Sequence, residues 1–133
     1  MIKQYINIDN YWKVVVYYNI NYNLFDYIVK DLNKLNTNIK TITNIYKNMS
    51  TRKAKAVTIS NIKYKRSVVL FNTHKSFSDY INSIIHEAEH IKQAMLKAYN
   101  VDDKGEAPAY TIGFIVMKML TKKILKRLEL KNT

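Results

Sequence analysis

The sequence predicts an α+β domain in which a small three-stranded sheet packs on helices. Three observations point to it: a run of β-branched and aromatic residues at Tyr11 to Tyr18, a pair of β-rich runs in the middle of the chain, and apolar residues at helical spacing on either side of that pair.

In chain order, Tyr11 to Tyr18 (YWKVVVYY) followed by Asn-rich sequence reads as a buried strand. From Tyr22 the spacing changes, with Leu24, Phe25, Ile28, Leu32 and Leu35 at helical intervals up to Asn36-Thr37-Asn38. A short helix is expected over Ile39 to Met49. Alternation returns at Ala56 to Ile62, and Ser67 to Phe71 is the next β-rich run. The two read as a hairpin with a basic tip, Lys63 to Arg66. Ser76 and Asp79 form a capping-box pattern that opens a helix of about six turns ending at Tyr99. Asn100 through Gly105 is a polar loop, and a last helix is expected from near Pro108 to about Leu130.

The 133 residues, 47% of them hydrophobic, suffice for one core, so a single domain over 1–133 is expected. Two Gly and one Pro leave little material for linkers, and no repeat or low-complexity tract is visible. With no cysteine, disulfides and thiolate ligands are excluded, and a metal site would have to use His, Asp and Glu. Met1 to Tyr5 lacks the pattern of a signal peptide, so the protein is expected not to be secreted. The longest apolar stretch, Ile112 to Leu120, is interrupted by Lys118 and falls short of the roughly 20 residues that span a bilayer; a soluble protein without membrane contact is expected.

The formal charge of +12 is a surplus that attracts polyanions, nucleic acid above all, although lysines that merely solvate the surface would give the same total. Lys47, Arg52, Lys53, Lys55, Lys63, Lys65 and Arg66 crowd the middle of the chain; Lys118, Lys122, Lys123, Lys126, Arg127 and Lys131 crowd its end. Yet five of the ten acids (Glu87, Glu89, Asp102, Asp103 and Glu106) fall between positions 87 and 106. An acidic segment in a basic chain has the composition of a cation site.

That segment contains His86-Glu87-Ala88-Glu89-His90. On the helix from Phe77 to Tyr99, an apolar stripe from Tyr80 through Ile84, Ala88 and Ile91 to Met95 forms the core face. His86 and His90 project from nearly the opposite side, in line with Asp79, Ser83, Gln93 and Lys97. Side chains four apart on a helix lie about 5–6 Å from each other, so two imidazoles there can converge on one ion. Glu87 would sit beside the metal without ligating it, placed to take a proton from water activated there. The pattern alone is weakly specific. Glu106, after a polar loop at the start of the next helix, would be returned towards the histidines by a helical hairpin; an acid favoured by a helix N-terminus would also explain it.

These residues resemble the small zincin-like proteins of phages and related mobile elements, close to minimal gluzincins. Their pattern is H-E-x-x-H on a helix, a short polar loop, then E-x-x-A-Y with a Gly soon after. Here it stands as His86-Glu87-Ala88-Glu89-His90, then Glu106-Ala107-Pro108-Ala109-Tyr110 and Gly113, with Pro108 a departure inside the second motif. The match covers about the last third of the chain. The resemblance implies zinc held by His86, His90 and Glu106, Glu87 as catalytic base, and Ala109 and Gly113 as points of close helix approach.

Tyr110, one turn beyond Glu106, could offer its hydroxyl to a substrate carbonyl, but its ring is expected to pack in the helix interface. His74 could be an alternative ligand; a surface position is the expectation. Asp79 could accept the second ring proton of His86, although capping already accounts for it.

Two functions follow as expectations. One is a zinc-dependent peptidase acting on a peptide or protein substrate, which the hairpin strand nearest the active helix would hold by strand addition. The other is a non-catalytic phage virion or assembly component that keeps a zincin fold among other phage structural proteins, beside nucleic acid. The resemblance places either one in the host cytoplasm or the virion.

Overall fold

A computed structural model describes residues 1–102 and 106–130, the side chains of Glu106 and Ala107 excepted. Its described elements are strands β1 (Ile2–Ile8), β2 (Trp12–Tyr18), β3 (Ala56–Asn61) and β4 (Arg66–Phe71), and helices α1 (Phe25–Lys34), α2 (Ile39–Ser50), α3 (Phe77–Tyr99), α4 (Glu106–Met119) and α5 (Lys122–Leu128). The class is α+β, as expected. The sheet, however, has four strands in the order β1-β2-β4-β3, one more than the sequence suggested. The added strand, β1, pairs antiparallel with β2 through a turn in which Asp9 and Asn10 take positive φ, a conformation that Asn and Asp tolerate better than most residues. β2 and β4 run parallel, and β3 closes the other edge antiparallel to β4.

Helices cover both faces of this sheet. Alternation along the strands sends Trp12, Val14, Val16, Tyr18, Val69 and Phe71 to one face, where they pack against Tyr80, Ile84, Ala88 and Ile91 of α3 and Ile115 and Met119 of α4. Tyr17, Val68 and Leu70 face the other way, onto Ile28 and Leu32 of α1 and Ile42, Ile45 and Met49 of α2. Truncating a wholly buried residue of either layer, such as Ile28 or Ile84, is expected to cost about 2–5 kcal/mol in denaturant unfolding.

α3 starts where the sequence placed it, since Ser76 Oγ accepts from the backbone N–H of Asp79 at 3.2 Å. It ends at Asn100, whose left-handed backbone (φ 53°) lets its N–H cap the carbonyls of Leu96 and Lys97. The single helix expected from Pro108 to Leu130 is two helices. The chain breaks after Met119, and Thr121 starts α5 by accepting a hydrogen bond from the N–H of Ile124 at 3.4 Å. α4 begins at Glu106, with Pro108 in its first turn where a missing N–H leaves no bond unmade. The Tyr80 hydroxyl donates to the Met119 carbonyl at 2.8 Å, which ties the end of α4 to the start of α3 and makes the two antiparallel. Among the described residues, no helix is long and apolar enough to cross a membrane.

Candidate metal centre

α3 lies on the sheet with two distinct flanks. Ser83 and Glu87 turn towards β3, and together with His86, Asp79, Lys55 and Ala56 they line an open cleft of about 420 Å³. Lys92, Met95, Leu96 and Tyr99 turn the other way, where they share a hollow with Pro108 and Thr111 of α4. His86 and His90 are both exposed and lie on the β3 side of the helix's outer surface.

The two imidazoles converge. His86 Nε2 and His90 Nε2 are 3.1 Å apart, with the ring planes nearly perpendicular. Two nitrogens bound to a tetrahedral zinc at about 2.0–2.1 Å each would lie about 3.3 Å from one another, so the pair already holds nearly the spacing that two ligands of one ion require. Without an ion, the same approach is satisfied by one ring donating its N–H to the lone pair of the other.

Glu87 is only 3% exposed, an unusual burial for a glutamate. The Thr58 hydroxyl donates to its Oε1 at 2.9 Å, and Thr58 stands on β3, opposite Val69 of β4. The carboxylate is therefore wedged between helix and edge strand at the wall of the cleft, and a hydrogen bond fixes its direction. Among the described residues, the outward side of β3 carries no partner strand.

Several residues stand elsewhere than the sequence suggested. Ser83, read as lying along the solvent side with the histidines, is buried. Its partner is His74, which is not a surface residue but 8% exposed, its ring against Phe71 and Tyr80 and its Nε2 2.6 Å from Ser83 Oγ. Burial lowers the His74 pKa, opposed mainly by a hydrogen bond with the Asn72 backbone. Asp79 does not serve His86; its carboxylate binds Lys55 Nζ at 2.8 Å, and that lysine holds its pKa down. Tyr110 is 73% exposed instead of packed between helices. Ala109 and Gly113 are exposed too, and a Cβ added at Gly113 would meet nothing within 4 Å, so they mark no close approach. The helices meet instead through larger side chains such as Ile115 and Ile84.

The Glu106 carboxylate and Asp103 lie outside the described residues. Among the described residues no three His, Asp or Glu side chains gather closely enough to hold an ion, so the structure itself joins two of the expected ligands. The missed signals were legible in part. His74 sits between a β-rich run and a helix cap, a place where a short connection has to turn over the core. Comparison of the chain with protein-family models, with curated proteins and with solved structures finds no match.

Proposed function

We propose that this chain is a zinc-dependent, metallopeptidase-like protein of the minimal zincin type, with His86, His90 and Glu106 as metal ligands and Glu87 as the base. The observation that carries this reading is the 3.1 Å approach of the two imidazole nitrogens on the flank of α3 whose cleft ends at a buried carboxylate. The helices α1 and α2, the hairpin β3–β4 and the long helix α3 follow one another in the order expected of a zincin, behind two strands where one was expected, and this partial agreement supports the reading. A bound zinc would supply Lewis-acid polarisation of a carbonyl and lower the pKa of water.

The chain's own residues do the rest. Glu87, pinned by Thr58, presents a carboxylate of fixed direction beside the cleft, positioned to accept a proton there and hand it to the leaving amine. β3 enters the same cleft at Ala56 and is an edge strand among the described residues, and its outward backbone groups would align an extended peptide by strand addition. Tyr110, exposed on the turn after Glu106, is the proposed hydroxyl donor to the substrate carbonyl. The ligand set closes only with the Glu106 carboxylate on the histidine flank of α3, the flank opposite the one that Pro108 and Thr111 occupy.

The test is hydrolysis of a mixture of fluorogenic peptides by zinc-loaded protein. Cleavage that a chelator stops and that Glu87→Gln lowers by at least about a hundredfold supports the reading. Equal cleavage by wild type and Glu87→Gln would overturn it. The +12 charge favours a second reading, a non-catalytic phage virion or assembly component in which the same site is structural. Under that reading Glu87→Gln retains zinc and loses no biological activity.

A further inference from the structure

On the sheet face away from the histidines, β1, β2 and β4 reach past the end of α1 and leave a pocket of about 330 Å³. That size is at the lower end for small-ligand sites. Val15 and Val68 form an apolar floor, Tyr5 stands at one side 72% exposed, and Lys13, Lys34 and Arg66 rim it.

The charge arrangement is the unusual feature. Lys13 and Arg66 are direct neighbours in register on parallel strands, on the same face, a placement that sets like charges side by side. Neither makes an ion pair among the described residues. The nearby acid, Asp31, is buried and already engaged by the Tyr17 hydroxyl and by Lys3 and Lys34 at 3.2 and 3.7 Å. It leaves the other two cations uncompensated. Lys63 and Lys65, exposed at the tip between β3 and β4, extend the basic surface beyond Arg66.

We infer that this pocket binds single-stranded nucleic acid, seating one base over Val15 and Val68 beside Tyr5 while Lys13 and Arg66 hold the flanking phosphates. The combination selects the ligand. Phosphates satisfy the unpaired cations, and a base offers both the flat face that Tyr5 stacks and the apolar surface that the floor needs. An acidic peptide would neutralise the rim but leave the aromatic wall and floor unfilled. The inference uses a different face from the metal site and does not depend on it.

The test is fluorescence anisotropy with a labelled oligothymidylate of about ten nucleotides at low salt, on the full chain. Lys13→Glu combined with Arg66→Glu should lower affinity at least about tenfold, whereas Lys122→Glu combined with Lys123→Glu, the same charge change on α5, should lower it less than about threefold. Tyr5→Ala, an exposed change that leaves the charge and the core intact, should lower affinity about fivefold or more. Equal losses from the two charge variants, no effect of Tyr5→Ala, polyglutamate competing as well as the oligonucleotide, or no binding by wild type would each overturn the inference. Competition by a free mononucleotide at a much higher concentration is expected, since it supplies the same base and phosphate without the extended backbone. Circular dichroism of every variant separates loss of binding from loss of fold, and Tyr5→Ala carries the test alone if the charge-reversed pair does not fold.

Discussion

The Thr58 hydroxyl donates to Glu87 Oε1 at 2.9 Å, and through that bond the edge strand holds the carboxylate that lies between two histidines in sequence. Thr58→Val keeps the shape of the side chain and removes the donor, leaving a buried carboxylate oxygen without it. Stability should fall by about 1–3 kcal/mol, while Thr58→Ser should stay near wild type. Urea unfolding at neutral pH checks this; a Val variant as stable as wild type would show that the bond contributes nothing.

The buried His74 makes a prediction about acid. Its pKa is lowered from the ordinary 6.5, chiefly by burial, so between the folded and unfolded values the unfolded chain binds more protons. The contribution of this residue is therefore complete above the unfolded value, is lost as pH falls below 6.5 and levels off under the folded value. Urea midpoints at about pH 7.5 and about pH 5.5 should differ more for wild type than for His74→Gln. Equal differences in the two proteins would remove His74 from the account.

Thr121 separates two helices that the apolar spacing reads as one. Its hydroxyl caps α5 through the N–H of Ile124, and Thr121→Ala should cost about 1 kcal/mol, with Thr121→Ser or Thr121→Asp close to neutral. Thermal unfolding of the three variants orders them. If all three melt together, the break between α4 and α5 does not rest on the cap.

Tyr80 joins α3 to α4 by donating to the Met119 carbonyl from a fully buried position. Tyr80→Phe leaves that carbonyl short of a donor and should cost about 1–3 kcal/mol while preserving the ring packing on Tyr18 and Phe71. Denaturant unfolding gives the loss; an unchanged midpoint would mean that water replaces the hydroxyl freely.

Elements whose signal is local were legible in the sequence. Helical spacing located α1 and α3, the Ser76 cap fixed where α3 begins, and the basic run from Lys63 marked the turn between β3 and β4. β1 also carried a local signal, Ile2, Ile6 and Ile8 alternating with Lys3, Tyr5 and Asn7 before Asp9-Asn10. That segment is less dense in β-branched and aromatic residues than Tyr11 to Tyr18, so its strand character stands out less. The parallel pairing of β2 with β4 could not be read, because register between distant strands is set by packing on both faces and not by either strand. At the site, periodicity put His86 and His90 together but misplaced Ser83, which lies near the boundary between the buried and exposed sides of α3. What fixes Ser83 is the ring of His74, a residue nine positions earlier and off the helix, and no helical pattern reports it.

The central claim is that His86, His90 and Glu106 hold one zinc ion while Glu87 does not. Zinc content of purified protein, with affinity from competition against a chelator, tests it most directly. Wild type and Glu87→Gln should carry about one zinc per chain, His86→Ala and His90→Ala none, and Glu106→Gln should bind at least about tenfold more weakly while remaining folded. Equal loss of zinc in Glu87→Gln and in the histidine variants, or wild-type affinity in Glu106→Gln, would contradict the account.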